Sequence, residues 1–302
     1  MPELPEVETI RRGLSQFIVK KKLVKTTILC DKSFIGTPVT GTVKDIRRFG
    51  KALIIDLDNH NSLMIHLRMT GQLIYDGKER YAAGHPSDNF TAKLPNKQTR
   101  VILEFDDGTL YFNDQRKFGF IKALPTKEVE SDAFIKKLAP EPWTITVDEL
   151  YEKLQHHKNS CIKPTILDQT IICGLGNIYA DEALFLSHIH PERKCGTITR
   201  NEAALIIKNA KDVMEKSIAS GGSTMATYVK ADGTTGDYLE LFANVFRREG
   251  QPCPHCGTKL IKIKVAGRGT HLCPHCQKRS QEWFKFLPVT IAWKPKRKLN
   301  EY

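Results

Sequence analysis

Two groups of residues in this 302-residue chain carry the chemistry that its sequence offers, and they lie at opposite ends. The first is the opening MPELPEVET, where Pro2 and Glu3 stand at the extreme terminus. With Met1 removed, Pro2 presents a secondary α-amine. An α-amine titrates near about 8 against about 10.4 for lysine, so much more of it is free base at neutral pH. Such an amine can attack a sugar C1′ and form an iminium. Glu3 beside it suits the acid or charge stabiliser that cleavage of a glycosidic bond requires. The same residues also read as a well-capped helix start, with Pro5 in the first turn and Glu6 and Glu8 complementing the dipole.

The second group is CPHC, sixteen residues, then CPHC, which pairs Cys253 with Cys256 and Cys273 with Cys276. Two such knuckles joined by a β-hairpin close a tetrahedral sulfur cage round one structural Zn2+. With all four positions filled by thiolates no place is left for a catalytic water, and His255 and His275 stay outside the set. The metal contributes folding energy to a segment too short to build its own core. Between the knuckles, Gly267-Arg268-Gly269 places an arginine at a hairpin tip, where it either approaches a phosphate closely or sits solvated. The remaining cysteines, Cys30, Cys161, Cys173 and Cys195, are scattered and read as reduced packing residues.

The net charge of +12 is unevenly placed, nine of the twelve falling between Cys253 and Tyr302. That is the footprint of phosphate contacts. No apolar run is long enough to cross a bilayer and no lysine-led apolar leader opens the chain, which predicts a cytoplasmic protein.

The elements that must position these groups follow from pattern. A leading helix, about Glu6 to Phe17, precedes a series of short strands: VTGTVKDI, KALIIDLD, SLMIHLRMTGQLIY, RVILEF and LYFND. A polar stretch from about Asp76 to Gln98 is too long for a simple hairpin loop. The proline-flanked LAPEPW, Leu138 to Trp143, is a stiff connector. Helices follow: VDELYEKLQHHK, GNIYADEALFLS, and a long one with Thr199 as N-cap and Glu202 three residues on, ending at Gly221-Gly222. KPTILD is read as a turn. The fold class is α+β: residues 1–137 form a β-sandwich domain with its leading helix, 138–147 a linker, 148–250 a helical domain, 251–278 the zinc finger and 279–302 a basic aromatic tail.

PELPEVET, GKALI, HLRMTG, DQRKFG, LAPEP, IKPTILDQTIICGLGNIYADEALF, GGST and the four-cysteine finger occur in that order over about nine tenths of the chain. Together they resemble the bacterial formamidopyrimidine-DNA glycosylases. The resemblance implies a base-excision repair enzyme that acts on damaged double-stranded DNA as a nucleoid-associated monomer. It would remove oxidised purines and nick the strand by β,δ-elimination. It implies Pro2 as Schiff-base nucleophile, Glu3 as acid, Lys51 as proton donor for β-elimination, and Arg268 as donor for δ-elimination and phosphate clamp. Met69, Arg116 and Phe118 match the residues that fill the void left by a flipped nucleotide. Lys158, Lys163 and Asn177 match phosphate contacts of a helix-two-turn-helix, and the GLGN turn offers N–H groups at a helix start.

Four features depart from the family pattern. Gln98 stands where a phosphate-binding histidine is common, and the 76–98 loop is long. The segment YVKADGTTGDYLELFANVFRREG differs from the usual lesion-recognition region after its Asp-Gly turn. The chain also continues beyond Cys276 with Trp283, Phe284, Phe286 and Trp293 among basic residues, as a further DNA contact or a surface extension. Two rivals stand beside this reading. An endonuclease VIII-type enzyme for oxidised pyrimidines usually has glycine where this chain has Leu4. A non-catalytic damage-binding protein would predict loss of Pro2, Glu3 or Lys51.

Overall fold

The computed structural model describes residues 2–85, 90–222 and 238–279. The tail beyond Arg279 and residues 228–237 of the lesion-recognition segment therefore lie outside the described residues.

Helix α1 runs Leu4–Ile18, starting two residues before the expected Glu6. Proline is tolerated in a first helical turn because the N–H it lacks would be unpaired there, so Pro5 does not delay the helix. The Glu6 carboxylate accepts the N–H of the N-cap residue Glu3 at 2.9 Å, which fixes the start. Val7, Ile10, Leu14 and Ile18 repeat at helical spacing and are fully buried in the core of the sandwich, whereas Leu4 is buried in the core of the helical domain. One helix thus belongs to both halves of the molecule. Burial of Leu4 alone is worth about 2 kcal/mol towards holding them together.

Ten strands follow: β1 (Lys22–Ile28), β2 (Phe34–Ile35), β3 (Gly41–Phe49), β4 (Ala52–Leu57), β5 (Asn61–His66), β6 (Gly71–Asp76), β7 (Arg80–Gly84), β8 (Thr99–Phe105), β9 (Gly108–Asp114) and β10 (Phe120–Pro125). They form two layers, β2-β10-β5-β4-β3 and β1-β8-β9-β6-β7, joined where β1 meets β3 through Lys22–Thr42 and Leu23–Gly41. Strand β4 is buried along its whole length. Leu53, Ile55 and Leu57 face the sandwich core, while Ala52 and Ile54 pack under Leu124, Val129 and Ile135. Cover on both faces explains why Ala52 to Ile55 are apolar at every position and do not alternate with polar residues.

Three expectations need correction here. SLMIHLRMTGQLIY is two strands, because the chain turns at Leu67–Thr70 with Arg68 at φ 50. The polar 76–98 stretch contains β7, which pairs with β6 from Gln72–Gly84 to Asp76–Arg80. The first four residues of KPTILD lie in a short helix, Ile162–Ile166. Strands β1 and β10 add to the expected series, KLVKTTI being too lysine-rich to show a clean alternation.

Beyond the linker come α2 (Val147–His156), α3 (Ile162–Ile166), α4 (Asn177–Leu186), α5 (Arg200–Ala219) and α6 (Tyr238–Phe242). Helix α5 starts on the expected capping box, Thr199 Oγ1 accepting from Glu202 N and Glu202 Oε2 from Thr199 N. The finger hairpin is β11 (Ile261–Val265) and β12 (Arg268–Leu272). Its two-residue turn has Ala266 and Gly267 both at positive φ, the mirror-image turn that matches strand twist.

Candidate active site and nucleic-acid interface

Pro2 is buried, and Glu3 beside it is only 3 % exposed. The Glu3 carboxylate points at the start of α4, where Ile178 N donates to Oε1 at 3.0 Å and Tyr179 N to Oε2 at 3.4 Å. Two glycines make that approach feasible. A Cβ at Gly176 would lie 2.1 Å from Glu3 Cδ, and one at Gly174 would lie 2.3 Å from Leu4 Cδ1. The GLGN turn is therefore shaped to receive PEL, and the N–H groups of Ile178 and Tyr179 just after it meet a side-chain carboxylate. Burial pushes the Glu3 carboxyl up to about 7 against the opposing pull of the Lys51 cation. A carboxyl in that range is divided between acid and anion at neutral pH, as a general acid needs to be.

Lys51 is buried in the turn between β3 and β4, and its Nζ donates to Leu175 O at 2.6 Å. Burial lowers its pKa, Glu3 opposes the shift, and the Arg268 guanidinium adds to the lowering. Glu3, Lys51 and Arg268 thus share one electrostatic neighbourhood, although Glu3 and Arg268 come from opposite ends of the chain. Arg268 itself opens β12 with its side chain exposed. The Lys51 turn is held by the connector: Glu141 accepts from Gly50 N at 3.0 Å and pairs with Arg48, which also reaches Glu8 on α1.

The three void-filling candidates come together on one rim. Met69 is 40 % and Phe118 55 % exposed, and the Arg116 guanidinium lies 4.9 Å from the Phe118 ring centroid. Asp114, fully buried, joins their two turns. Its carboxylate accepts from the Thr70 hydroxyl, from Arg116 N at 3.1 Å and from Gly119 N at 2.7 Å. Exposed apolar side chains on turns tied to one buried carboxylate are a rigid wedge and not a loose loop. Gln98 is half-buried at the start of β8, where its carbonyl accepts from Asp114 N at 2.9 Å.

Lys163, expected on a phosphate, is placed elsewhere. Its ammonium is fully buried, ion-paired to Asp181 at 2.6 Å and donating to Thr270 Oγ1 at 2.8 Å and Gly269 O at 3.1 Å. The bare IKPTILD motif shows the lysine but not Asp181, on the next long helix, that captures it. Asn177 Nδ2 donates to the same Gly269 carbonyl at 3.0 Å. Both side chains therefore hold the hairpin strand whose first residue is Arg268. Lys158 is exposed just before α3.

Cys253, Cys256, Cys273 and Cys276 offer four sulfurs within 4.8 Å of one another, with pairs at 3.9 and 3.5 Å. Zn–S bonds of about 2.3 Å in a tetrahedron put sulfurs about 3.8 Å apart, so the set fits one structural zinc ion. Phe185 and Val245 pack against the cysteines, and Gln277 donates to Ile189 O at 2.9 Å, docking the finger on the end of α4.

Comparison with known proteins agrees with this assembly. Residues 1–121 match the formamidopyrimidine-DNA glycosylase N-terminal domain, 138–229 its H2TH domain, and 250–279 the zinc finger found in FPG and IleRS. The chain is 38% identical over 288 residues to formamidopyrimidine-DNA glycosylase of Pelotomaculum thermopropionicum, covering 92% of this chain and 99% of that one. It is likewise 38% identical over 292 residues to the Streptococcus thermophilus enzyme, covering 92% and 100%. A Lactococcus lactis FPG mutant, solved in complex with Fapy-dG-containing DNA, superposes with a TM-score of 0.80 at 34% identity over 92% and 100% of the two chains. Wild-type Lactococcus lactis Fpg with oxidised-pyrimidine-containing DNA gives 0.79 at 35% over the same shares. Fold and site together define a DNA glycosylase of the helix-two-turn-helix class. The chain belongs to the formamidopyrimidine-DNA glycosylase family.

Sequence reasoning missed Glu6, Tyr179, Asp114, Asp181 and Glu141 as parts of the site. Glu141 had a signal, standing between two prolines in a connector. The others become visible only when distant elements meet.

Proposed function

We propose that this enzyme excises oxidised purines, 8-oxoguanine and ring-opened formamidopyrimidines among them, from double-stranded DNA and then opens the strand at the resulting abasic site. The Pro2 amine, exposed once Met1 is removed, attacks C1′ of the flipped nucleotide as the base departs with a proton; the amine then gives up its own proton and the C1′–O4′ bond opens, O4′ taking up a proton as the C4′ hydroxyl, which leaves an iminium at C1′. Loss of a C2′ proton then expels the 3′ phosphate, and loss of a C4′ proton expels the 5′ phosphate. Glu3 supplies the proton or the charge for base departure. Lys51 serves the first elimination, and Arg268 the second while holding phosphate. Met69, Arg116 and Phe118 occupy the vacated stack, the extrusion costing a few kcal/mol that their insertion offsets. Lys158, Asn177 and Gln98 complete the backbone contacts. Work on chromosomal DNA puts the enzyme at the nucleoid.

The observation that carries the reading is a carboxyl at chain position 3, buried at a helix start and raised to about 7, beside a buried lysine and below a basic hairpin. A non-catalytic binder has no need to hold an acid half-protonated. Borohydride trapping tests it. Duplexes with 8-oxoguanine or a formamidopyrimidine should yield a covalent adduct that Pro2→Gly abolishes. An enzyme that traps only on thymine glycol acts on pyrimidines instead, and one that traps on nothing is not a lyase.

A further inference from the structure

Behind Glu3 lies a chain of buried hydrogen bonds that the reaction as described does not use. The fully buried Tyr179 hydroxyl donates to Glu6 Oε1 at 2.5 Å and lies 2.6 Å from Ser217 Oγ. Glu6 Oε2 accepts the N–H of Glu3 at 2.9 Å, and that N–H belongs to the peptide joining Pro2 to Glu3. A phenol has one proton. With it given to Glu6, Ser217 must donate to the tyrosine oxygen. The run Ser217 to Tyr179 to Glu6 to the Pro2–Glu3 peptide therefore has a defined direction and crosses from α5 through α4 to α1.

Both of its ends are mechanically informative. Tyr179 holds Glu3 twice, through its own N–H on Oε2 and through Glu6 on the main chain. Ser217 is fully buried in the last turn of α5, and its carbonyl accepts from Gly222 N at 2.7 Å, where the chain leaves the helix for the segment expected to read the lesion.

We propose that Tyr179 and Ser217 are positioning residues for base excision: through Glu6 they fix the Pro2–Glu3 peptide and keep the Glu6 carboxylate beside Glu3, so the acid depends on how the end of α5 is packed. The inference rests on the excision chemistry proposed above and adds the residues through which Glu3 is held.

Its consequence has a sign. Burial is the largest influence raising Glu3, the Lys51 cation opposes it, and Glu6 raises it further. Among the described residues, the charged and polar groups that act on the cluster include Lys51 from the β3–β4 turn, Lys163 from α3, the Ile178 and Tyr179 N–H groups and the Tyr179 hydroxyl from α4, Ser217 from α5, and Arg268 through its field on Lys51. Without the phenol donor, Glu6 loses the hydrogen bond that holds its carboxylate against the Glu3 N–H. A carboxylate free to turn away from Glu3 raises it less, so Glu3 gives up its own proton at lower pH. Excision that needs protonated Glu3 must then fail at lower pH than in the wild type.

Single-turnover release of 8-oxoguanine, followed across the neutral range, tests this. Wild-type excision should fall as pH rises through about 7. Tyr179→Phe should slow it by about ten- to hundredfold, the worth of one hydrogen bond to a charged group, and move the midpoint of the fall to lower pH. Ser217→Ala should act in the same direction more weakly, and the double variant should be no worse than Tyr179→Phe, because both act along one path. Zinc content and thermal unfolding report that each variant is folded, and Ser217→Ala carries the test alone if Tyr179→Phe fails that control. Wild-type excision rates, or slower rates with an unmoved midpoint, would overturn the proposal. Failure of the parent reading shows separately, as absence of trapping by the wild type.

Discussion

Gly176→Ala is the sharpest perturbation of the acid that leaves every charged group in place. The backbone at Gly176 is extended, at φ −126 and ψ −160, so alanine meets no conformational obstacle there. The obstacle is Glu3. The added methyl would stand 2.1 Å from Cδ and 2.4 Å from Oε1, where ordinary contact begins at 3.4 Å. The carboxyl must therefore retreat by about 1.3 Å, the difference between 3.4 and 2.1 Å. It cannot do so while keeping Ile178 N and Tyr179 N, which it now holds at 3.0 and 3.4 Å. Leu4, wedged over Gly174, prevents the whole terminus from backing away. A displacement of about 1 Å in a reacting group can cost about a hundredfold in rate. Single-turnover excision of 8-oxoguanine should fall by about that factor, with zinc content and affinity for abasic duplex unchanged. Excision within about fivefold of the wild type would refute the reasoning, since it would mean that Glu3 does not act from the place where it is buried.

Two further predictions concern the finger. Chelation, or Cys273→Ser, should release the zinc and with it most DNA affinity, because the metal supplies the folding energy of the hairpin that carries Arg268; metal analysis and a gel-shift titration check this. Lys163→Met leaves Asp181 buried with its cation gone, and truncating one partner of a buried pair costs about 3–5 kcal/mol. Thermal unfolding should register that loss, and the products on abasic DNA should shift from β,δ- towards β-elimination as the hairpin loosens, whereas an unchanged melting temperature would contradict the buried pairing.

What the sequence made legible was what short range encodes. The two CPHC knuckles, the Thr199–Glu202 capping box and the proline-bounded connector are decided within a few residues, so spacing alone shows them. Pro2 and Glu3 read equally as a helix start or as an amine and an acid, and only the ordered motifs further along the chain favour the second reading. The failures share an opposite cause. SLMIHLRMTGQLIY has strand composition throughout, and only the reversal at Arg68, where β6 pairs with β9 as well as β7, decides that the chain turns. Lys163 has the composition of a surface cation and the burial of a core residue, because Asp181 and Thr270 arrive from α4 and β12 to enclose it.

The same distinction bears on how the nucleophile proposed at Pro2 could work from a place where chains usually fray. A terminal amine brings a low pKa without burial, but it brings no rigidity, and rigidity has to be supplied from elsewhere in the chain. Here it comes from three directions. Helix α1 has its first leucine in one core and its later apolar residues in another. The start of α4 offers N–H groups to Glu3 and a phenol to Glu6. The connector fixes the Lys51 turn through Glu141, Arg48 and Gly50. Each support is a contact of long sequence separation, so each must wait until both halves of the molecule have folded and docked. Competence of the terminus is therefore a property of the assembled protein, and a substitution that loosens the docking of the two cores at Leu4 should cost excision before it costs zinc or the fold of either half.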